Sequence, residues 1–366
     1  MTDDDAADGS KASPVDGSLR YPFADQTPDS GALIPVADGV YWLRMPLPFS
    51  LDHINLWLLD DGDDAVTIVD TGLNTSVCRK VWDTVFETHI GGRQVSRIIV
   101  THFHPDHLGL AGWLCERTGA PLYMTQAEYL MGRLLTVETH EKTPDEVVAF
   151  YKAAGHSDEW LDILKGRGYG GFKKVVSRVP TQYHKIRHGS VLQIGARRWR
   201  VHIGRGHAPE HACLVDNNGS LLISGDQVLP RITSNVSVFP GEPEADPLDD
   251  WMKSLDELKS IDRSVLVLPS HNEPFFGLHD RLDGLKASHH DKLDRLLQSL
   301  GEPRTAVDCF DVLFRRKITV DDMMMATGEA LAHLHYLVRR GTIERFERDN
   351  VVHSQNRDAV AHKPAA

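Results

Sequence analysis

Alternating apolar and polar positions predict an α/β protein over the first third of the chain. Runs of β-branched and apolar residues predict strands at residues 40–44, 53–59, 65–70 and 96–100. Between the last two runs, apolar residues recur at helical spacing from Val77 to Phe86. A second helix is predicted over residues 108–119, and Gly119 is expected to end it. Strands that alternate with helices are typical of α/β folds.

The strand pattern returns in the second half of the chain. Strands are predicted at residues 190–195, 197–204, 211–216, 220–226 and 264–269. An amphipathic helix is predicted at 247–261, before the last of these strands. Because each half supplies strands and helices, we expect two sheets packed face to face with helices outside, an αββα sandwich.

Other parts of the chain depart from this pattern. Residues 125–185 look helical and end in a glycine-rich, basic stretch, which predicts a helical insert within the sandwich domain. Near the C-terminus, two amphipathic helices precede a hairpin, an order typical of a winged helix. The predicted organisation is a disordered tail at 1–20, the sandwich domain at 21–285, a helical connector at 286–300, a small winged-helix-like domain at 301–356 and a tail at 357–366.

Composition limits the classes of function. The formal net charge of −12 argues against a dedicated nucleic-acid-binding surface. The acidic N-terminus lacks the apolar core of a signal peptide, and no apolar run is long enough for a membrane helix. The four cysteines are widely spaced and form no Cys-x-x-Cys pair. Together these features predict a cytoplasmic protein with reduced thiols.

Candidate chemistry concentrates in the segment Thr-His-Phe-His-Pro-Asp-His at residues 101–107. It lies between a predicted buried strand and a helix, where a loop can direct several side chains to one point. Imidazole nitrogens and carboxylate oxygens suit divalent metals such as Zn²⁺. The spacing allows His102 and His104 to bind one ion while Asp106 and His107 bind a second.

Three further candidate ligands occupy comparable positions later in the chain. His207 lies between two predicted strands, and Asp226 and His271 each end one. Each follows directly after a small residue, Gly or Ser. One histidine at a strand end would be a weak indication, but three such positions together with the first cluster predict a metal site with two ions.

With these motifs in this order, the chain resembles the metallo-β-lactamase superfamily, specifically its glyoxalase II-like hydrolases, over about residues 33–275. The resemblance implies that His102, His104 and His207 bind the first metal. It implies that Asp106, His107 and His271 bind the second, with Asp226 bridging both. Asp70, in the motif Asp-Thr-Gly, would orient the metal-binding loop by hydrogen bonds. The ions are expected to be Zn²⁺, although Fe or Mn can occupy such sites.

Two divalent ions predict a hydrolase in which a metal-bridged hydroxide attacks a carbonyl or phosphoryl centre. Asp106 would be catalytic, orienting the nucleophile and carrying its proton. For His211 two roles remain open, donation to the substrate and support of the site, of which we favour support. A homodimer is also expected, although these motifs do not require one.

The substrate is expected to be a small-molecule thioester or ester of acyl-CoA or glutathione type. In the basic stretch of the insert, Lys173, Lys174 and Arg178 are candidates for contacting its anionic end, although a solvated basic surface is the simpler interpretation. Asp226 stands where β-lactamases typically carry Cys, and Leu229 where lactonases commonly carry Tyr. Both activities are therefore ranked lower.

The C-terminal segment provides the main alternative. It resembles the module that follows the catalytic domain in the lactamase-β-like branch, which includes an endoribonuclease. Single-strand RNA cleavage is therefore the second hypothesis for function. Residues 302–349 hold eight Lys or Arg and nine Asp or Glu, however. A near-neutral module binds phosphates poorly, so charge disfavours nucleic acid as a partner.

Overall fold

The computed structural model describes residues 19–320 and 322–358. The two predicted tails therefore fall mostly outside the described residues. The end of the first one is ordered, because Leu19 is buried in an apolar core and Arg20 exchanges two backbone hydrogen bonds with Phe276. The sequence analysis placed these two residues in a disordered tail, whereas the structure packs them against the domain.

Strands and helices alternate along the described chain. The strands are β1 (Ile34–Ala37), β2 (Val40–Pro46), β3 (His53–Asp60), β4 (Ala65–Val69), β5 (Gln94–Ile99), β6 (Leu122–Met124), β7 (His184–Lys185), β8 (Val191–Ile194), β9 (Arg197–Gly204), β10 (His211–Asp216), β11 (Leu221–Gly225), β12 (Leu266–Pro269), β13 (Ile343–Arg348) and β14 (Val351–Asn356). The helices are α1 (Ser76–Val85), α2 (Pro105–Leu108), α3 (Ala111–Thr118), α4 (Gln126–Val137), α5 (Asp145–Ala153), α6 (Asp158–Gly166), α7 (Pro247–Leu258), α8 (Leu278–Ser299), α9 (Phe310–Leu313) and α10 (Met323–Arg339). None of the described helices has the length and apolar character needed to cross a membrane.

Two sheets bring the candidate ligands to one edge of the molecule. The first sheet has the order β1-β2-β3-β4-β5-β6-β7, and the second has the order β12-β11-β10-β9-β8. In the first sheet β4, β5 and β6 run parallel, and in the second β11 and β12 do. Parallel neighbouring strands end on the same side of a sheet. The residues that follow β4 therefore lie beside those that follow β5, and the residues that follow β11 lie beside those that follow β12.

Apolar layers confirm the expected αββα architecture. Alternate strand residues such as Trp57 and Trp199 fill the core between the sheets. The opposite face of the first sheet packs against helices of the first half, as shown by Leu56 and Trp82 in a second core. The outer face of the second sheet packs against α7 and α8, where Trp251 is fully buried. Each sheet is therefore covered on both faces, in agreement with strands such as β3 and β11, in which successive residues are buried.

The predicted helix over 108–119 is interrupted. The structure has α2 and α3 instead, with Gly109 between them. A Cβ atom at Gly109 would lie 2.3 Å from the carbonyl oxygen of Pro105 and 2.5 Å from that of Gly72. Close backbone approach at this glycine therefore separates the helix that carries Asp106 from the next one. Gly119 ends α3 in the left-handed conformation, as predicted.

The insert is largely helical, as its pattern predicts. It contains α4, α5 and α6, followed by a 3₁₀ turn at Gly171–Lys174. Its last residues depart from the expectation of a purely helical insert, because β7 pairs with β6 and forms an edge of the first sheet. Parallel pairing with β6 satisfies backbone groups that a helix at this edge would leave free.

The C-terminal unit follows the expected order of helices and hairpin. The turn of the hairpin consists of Asp349 and Asn350, which lie between β13 and β14 and both have positive φ. This unit does not have a separate core. Leu334 of α10 and Cys309 pack in the same apolar cluster as Trp251 of α7, so the unit is joined to the second sheet's helical layer.

This shared core leads to a prediction for α8. Leu296 is fully buried in it, and Leu296→Ala is expected to lower the free energy of unfolding by about 2–5 kcal/mol, the usual result of deleting a buried leucine side chain. Chemical denaturation would measure the change. The adjacent, partly buried Leu297 provides the control, and Leu297→Ala should cost clearly less. Equal losses for the two variants would contradict the assigned core.

Candidate metal centre

The loop after β5 carries the first candidate ligands. Thr101 and His102 lie just after the strand, separated from it by Val100. Pro105 starts α2, so that Asp106 and His107 lie in its first turn. Proline suits this position because its fixed φ matches a helix and its missing N–H would have no partner there. The sharp strand-to-helix change directs side chains from both elements toward one point.

The candidate ligand atoms form two groups, and the first contains three imidazoles. The Nε2 atom of His102 lies 2.9 Å from His104 Nδ1 and 3.2 Å from His207 Nε2. Ligand atoms that share a tetrahedral Zn²⁺ at about 2.0–2.1 Å lie roughly 3.3 Å apart, so this spacing matches a shared ion. The Oδ2 atom of Asp226 lies 3.4 Å from His207 Nε2 and 4.0 Å from His102 Nε2, which gives this group a carboxylate.

The second group lies on the other side of Asp226. The Oδ2 atom of Asp106 is 3.7 Å from His107 Nε2 and 3.6 Å from His271 Nε2. The Oδ1 atom of Asp226 is 3.5 Å from His107 Nε2 and 3.3 Å from His271 Nε2. Asp226 thus directs one oxygen at each group, the arrangement expected of a bridging ligand.

In three of these histidines, hydrogen bonds hold Nδ1, the ring nitrogen that faces away from the neighbouring ligand atoms. The Nδ1 atom of His107 lies 2.9 Å from a carboxylate oxygen of Asp70. The corresponding atom of His207 lies 2.7 Å from the carbonyl oxygen of Asn235, and that of His271 lies 2.8 Å from the carbonyl oxygen of His53. Such contacts fix the proton on Nδ1 and leave Nε2 available to a metal.

Asp70 also contacts the start of the loop that carries the first candidate ligands. Its carboxylate also accepts hydrogen bonds from the backbone N–H and the hydroxyl of Thr101. It adopts a φ of 61°, in the left-handed region that few residues other than glycine adopt. Asp70 therefore joins the end of β4 to the loop that carries the first ligands.

His211 lies behind the bridging carboxylate. Its Nε2 accepts a hydrogen bond of 3.0 Å from the backbone N–H of Asp226. Burial lowers the pKa of His211 to about 3, so this imidazole is neutral at physiological pH. Both observations favour support of the site over donation to a substrate.

The donor set fits divalent metal ions. The ligand atoms within each group lie within 4.8 Å of one another. His107 Nε2 and Asp226 Oδ1 are buried and have no hydrogen-bond partner among the residues that the structure describes, which is costly unless another species binds them. Nitrogen and oxygen donors without a thiolate suit Zn²⁺, Fe or Mn.

The pKa values of the histidines shift in different directions in the two groups of ligands. Burial holds the pKa values of His102 and His104 well below the usual range, so both imidazoles are neutral and able to bind metal. Burial acts in the same direction on His107, but the carboxylates of Asp70, Asp106 and Asp226 outweigh it and raise its pKa. Burial opposes ionisation of Asp226, yet the nearby His271 and His107 hold its pKa well below normal.

Sequence reasoning missed Glu128, a fully buried carboxylate on α4. Its Oε2 accepts a hydrogen bond of 3.0 Å from the backbone N–H of Phe103, and its Oε1 accepts one of 2.6 Å from that of Glu210. In return, Glu210 accepts a hydrogen bond from the backbone N–H of Ala127. Glu128 therefore joins the loop of His102 to the loop of His207. The only signal in the sequence was a charged residue in an otherwise apolar part of the helix.

The three basic residues predicted to contact substrate separate into two places. Lys173 and Lys174 line a cavity beside the insert. All three side chains are exposed, but Arg178 is not among the residues that line this cavity. The structure therefore groups the two lysines and sets Arg178 apart.

The fold and the clustered ligands define a metallo-hydrolase class, and comparison with known families agrees. Residues 50–271 match the metallo-β-lactamase superfamily, and residues 293–356 match the metallo-β-lactamase-like C-terminal domain. The chain belongs to the metallo-β-lactamase superfamily and is a hydrolase of that family, as the sequence motifs predicted.

Solved structures agree along nearly the whole chain. A β-lactamase domain protein from Burkholderia ambifaria is 42% identical, with a TM-score of 0.86 over 93% of this chain and 99% of that one. A metallo-β-lactamase family protein from Thermus thermophilus is 29% identical, with a TM-score of 0.74 over 88% of this chain and 100% of that one.

Curated relatives are more distant. The acyl-coenzyme A thioesterase MBLAC2 of Gallus gallus is 25% identical over 66% of this chain and 80% of its own length. The atrochrysone carboxyl ACP thioesterase of Aspergillus fumigatus is 22% identical over 79% of this chain and 55% of its own length. The linear primary-alkylsulfatase of a Pseudomonas species is 24% identical over 59% of this chain and 41% of its own length.

The contact between Asp70 and His107 leads to a prediction about metal affinity. Asp70→Asn should weaken metal binding by about 10–100-fold, because its amide NH₂ would face one of the donors that the carboxylate now accepts. Competition with a chromophoric chelator would measure the affinity. Asp216→Asn is the control, because Asp216 is a buried carboxylate that accepts from Ser220 and Leu221 instead. An unchanged affinity in Asp70→Asn, or equal losses in both variants, would contradict the role of Asp70.

Glu128 gives a prediction for stability and its pH dependence. Glu128→Gln should destabilise the protein by about 1–3 kcal/mol at pH 5, where the Glu128 side chain is a neutral acid. Both of its oxygens face backbone N–H groups, and glutamine would place an amide NH₂, which cannot accept, against one of them. Burial raises the pKa of Glu128 to about 7 from an ordinary 4.5, so its stabilising contribution is present below pH 4.5 and is lost as pH rises to about 7. The difference in unfolding free energy between the two proteins should therefore shrink over this interval.

Glu210→Gln is the matched control for this measurement. Glu210 accepts only one hydrogen bond from a backbone N–H, which the amide oxygen of glutamine can also accept. We therefore expect only a small loss of stability. If Glu128→Gln behaved like this control, the two loops would not depend on the Glu128 carboxylate.

Proposed function

We propose that this protein hydrolyses thioesters with two divalent metal ions, which we take to be Zn²⁺. The observation that carries the proposal is the position of Asp226 between two sets of ligand atoms. In this proposal one ion is held by His102, His104 and His207, the other by Asp106, His107 and His271, and Asp226 contacts both.

When bound, such ions lower the pKa of water toward about 7 and polarise a carbonyl oxygen. Within the chain, Asp106 has the role of orienting the attacking water and receiving its proton. Its side chain is 21% exposed, against 10% for that of Asp226, so it is the more accessible carboxylate of the centre. Its Oδ2 also faces His271, which holds the carboxylate in place.

A thioester suits this site better than an ester or an amide. Thiols have pKa values near 8.5, so a thiolate can leave near neutral pH without full protonation, whereas an alkoxide or amine needs a proton donor. The imidazole of His211, a candidate donor outside the ligand set, is neutral and already hydrogen-bonded to the backbone of Asp226. The acyl-CoA and ACP thioesterases among the relatives support the same class of substrate.

Charge in the C-terminal unit supports a small-molecule substrate over RNA. Several of its basic side chains are in ion pairs with acidic residues, which reduces their capacity to bind phosphates. The pairs are Arg304–Asp311, Arg316–Asp322, Arg339–Asp246, Arg340–Asp249 and Arg345–Glu244. Three of these pairs connect the unit to residues 244–249, in α7 and just before it.

Turnover by the zinc-loaded protein tests the proposal. Acyl-CoA thioesters and S-lactoylglutathione would be offered, and release of free thiol measured with a thiol reagent. The control is the double variant Asp106→Ala, His107→Ala, which removes two ligands of the second group. We expect thiol release by the native protein and background rates for the variant, because the variant lacks a complete second site.

Parallel reactions with labelled single-stranded RNA and an alkyl sulfate separate the proposal from its competitors. Cleavage of RNA or sulfate without thiol release would overturn the thioesterase proposal and leave the hydrolase class intact. Thiol release that persists in the double variant would overturn the assignment of the metal centre as the catalytic site.

A further inference from the structure

The two lysines of the insert lie in a cavity of about 740 Å³, a size that accommodates a cofactor-sized ligand. Its walls come from the end of α4, the glycine-rich segment after α6 and the start of α10. They combine apolar side chains, among them Leu135, Phe172 and Met324, with charged ones.

This cavity adjoins the candidate metal centre through two aromatic rings. Phe172 lines it, and the centroid of its ring lies 6.3 Å from that of Phe103. The ring of Phe103 in turn lies 4.7 Å from the imidazole of His104, a proposed metal ligand. These two ring contacts connect a proposed metal ligand to the wall of the cavity, so the cavity lies next to the candidate metal centre.

Charge distinguishes this cavity from the molecule as a whole. The chain carries a net charge of −12, yet Lys173 and Lys174 are adjacent on the cavity wall. Within residues 19–320 and 322–358, neither ammonium group makes an ion pair or a hydrogen bond. The lining also includes Arg167 and the carboxylates of Glu138 and Glu141, and Glu138 lies 3.7 Å from His140.

We infer that this cavity binds the phosphate groups of the thiol half of the substrate, which makes the substrate a coenzyme A thioester rather than a glutathione thioester. The inference rests on the proposed function for the reaction itself. Lysine ammonium groups bind phosphates as point charges, and two adjacent, unpaired ones suit a group with several negative charges. The apolar walls can pack against the uncharged part of the same molecule.

The reaction balances without a further reactant. Water and the thioester give a carboxylic acid and a free thiol, as the C–S bond breaks and a C–O bond forms. One proton of the water passes to Asp106 and then to the thiolate sulfur or to solvent. The lysines take no part in these steps and act only on binding of the leaving group.

Kinetics of the double variant Lys173→Gln, Lys174→Gln test the inference. We expect its KM for an acyl-CoA to rise about tenfold while kcat changes little, because the contacts lie away from the reacting bond. Its KM for the matching S-acyl-pantetheine, which lacks phosphates, should equal that of the native protein. The difference between the two proteins should shrink at high salt, because the interaction is electrostatic.

Arg178→Gln provides the matched control. It removes a positive charge from the same segment but outside the cavity, so it should leave KM for acyl-CoA unchanged. An equal rise of KM in this variant would assign the effect to net charge and overturn the inference. An equal KM of the native protein for acyl-CoA and S-acyl-pantetheine would also overturn it.

Direct binding of free coenzyme A, measured by calorimetry, separates this inference from the proposed reaction. Binding that weakens in the lysine variant would support the cavity even if no thioester were cleaved, in which case only the proposed function would fail. Thioester cleavage with unchanged coenzyme A binding in the lysine variant would leave the function standing and overturn the inference. Absence of both binding and cleavage would overturn both.

Discussion

A buried carboxylate, that of Asp226, connects the two halves of the candidate metal centre. One of its oxygens lies 3.4 Å from His207 and the other 3.3 Å from His271. Burying an ionised carboxylate is costly unless positive charge or hydrogen bonds compensate, and its Oδ1 has no hydrogen-bond partner within the described protein. The histidines around it are held in turn by Asp70 and by backbone carbonyls, so the site depends on a shell of fixed acceptors.

The surrounding layers maintain this arrangement from several sides. Glu128 joins the two ligand-bearing loops from the insert. From the C-terminal unit, Glu329 accepts a long hydrogen bond of 3.5 Å from Asn235, whose carbonyl oxygen contacts His207. Because α10 also shares a core with α7 and α8, the C-terminal unit contributes to the frame of the metal centre as well as to the outer layer. The insert adds the cavity next to it.

Much of the fold and the ligand set was accessible from local pattern. An apolar, β-branched run followed by His or Asp identified the residues that the structure brings together. The end of a strand has a defined direction, and a short loop limits how far its side chains reach. The break at Gly109 in the helix predicted over 108–119 was missed, since the close approach of Gly109 to Gly72 is a tertiary contact. Glu128 was missed for the same reason, because both of its partners are backbone groups from distant loops.

The sequence alone determined the class of chemistry, since the number and type of ligands in residues 101–107 and at three later strand ends are a local property of the chain. Only the tertiary structure decided which oxygen of Asp226 faces which group and which acceptor holds each imidazole. It also decided that Lys173 and Lys174 share a cavity from which Arg178 is separated. These relations depend on distances between segments far apart in sequence, which are set by how the two sheets, the insert and the C-terminal unit pack.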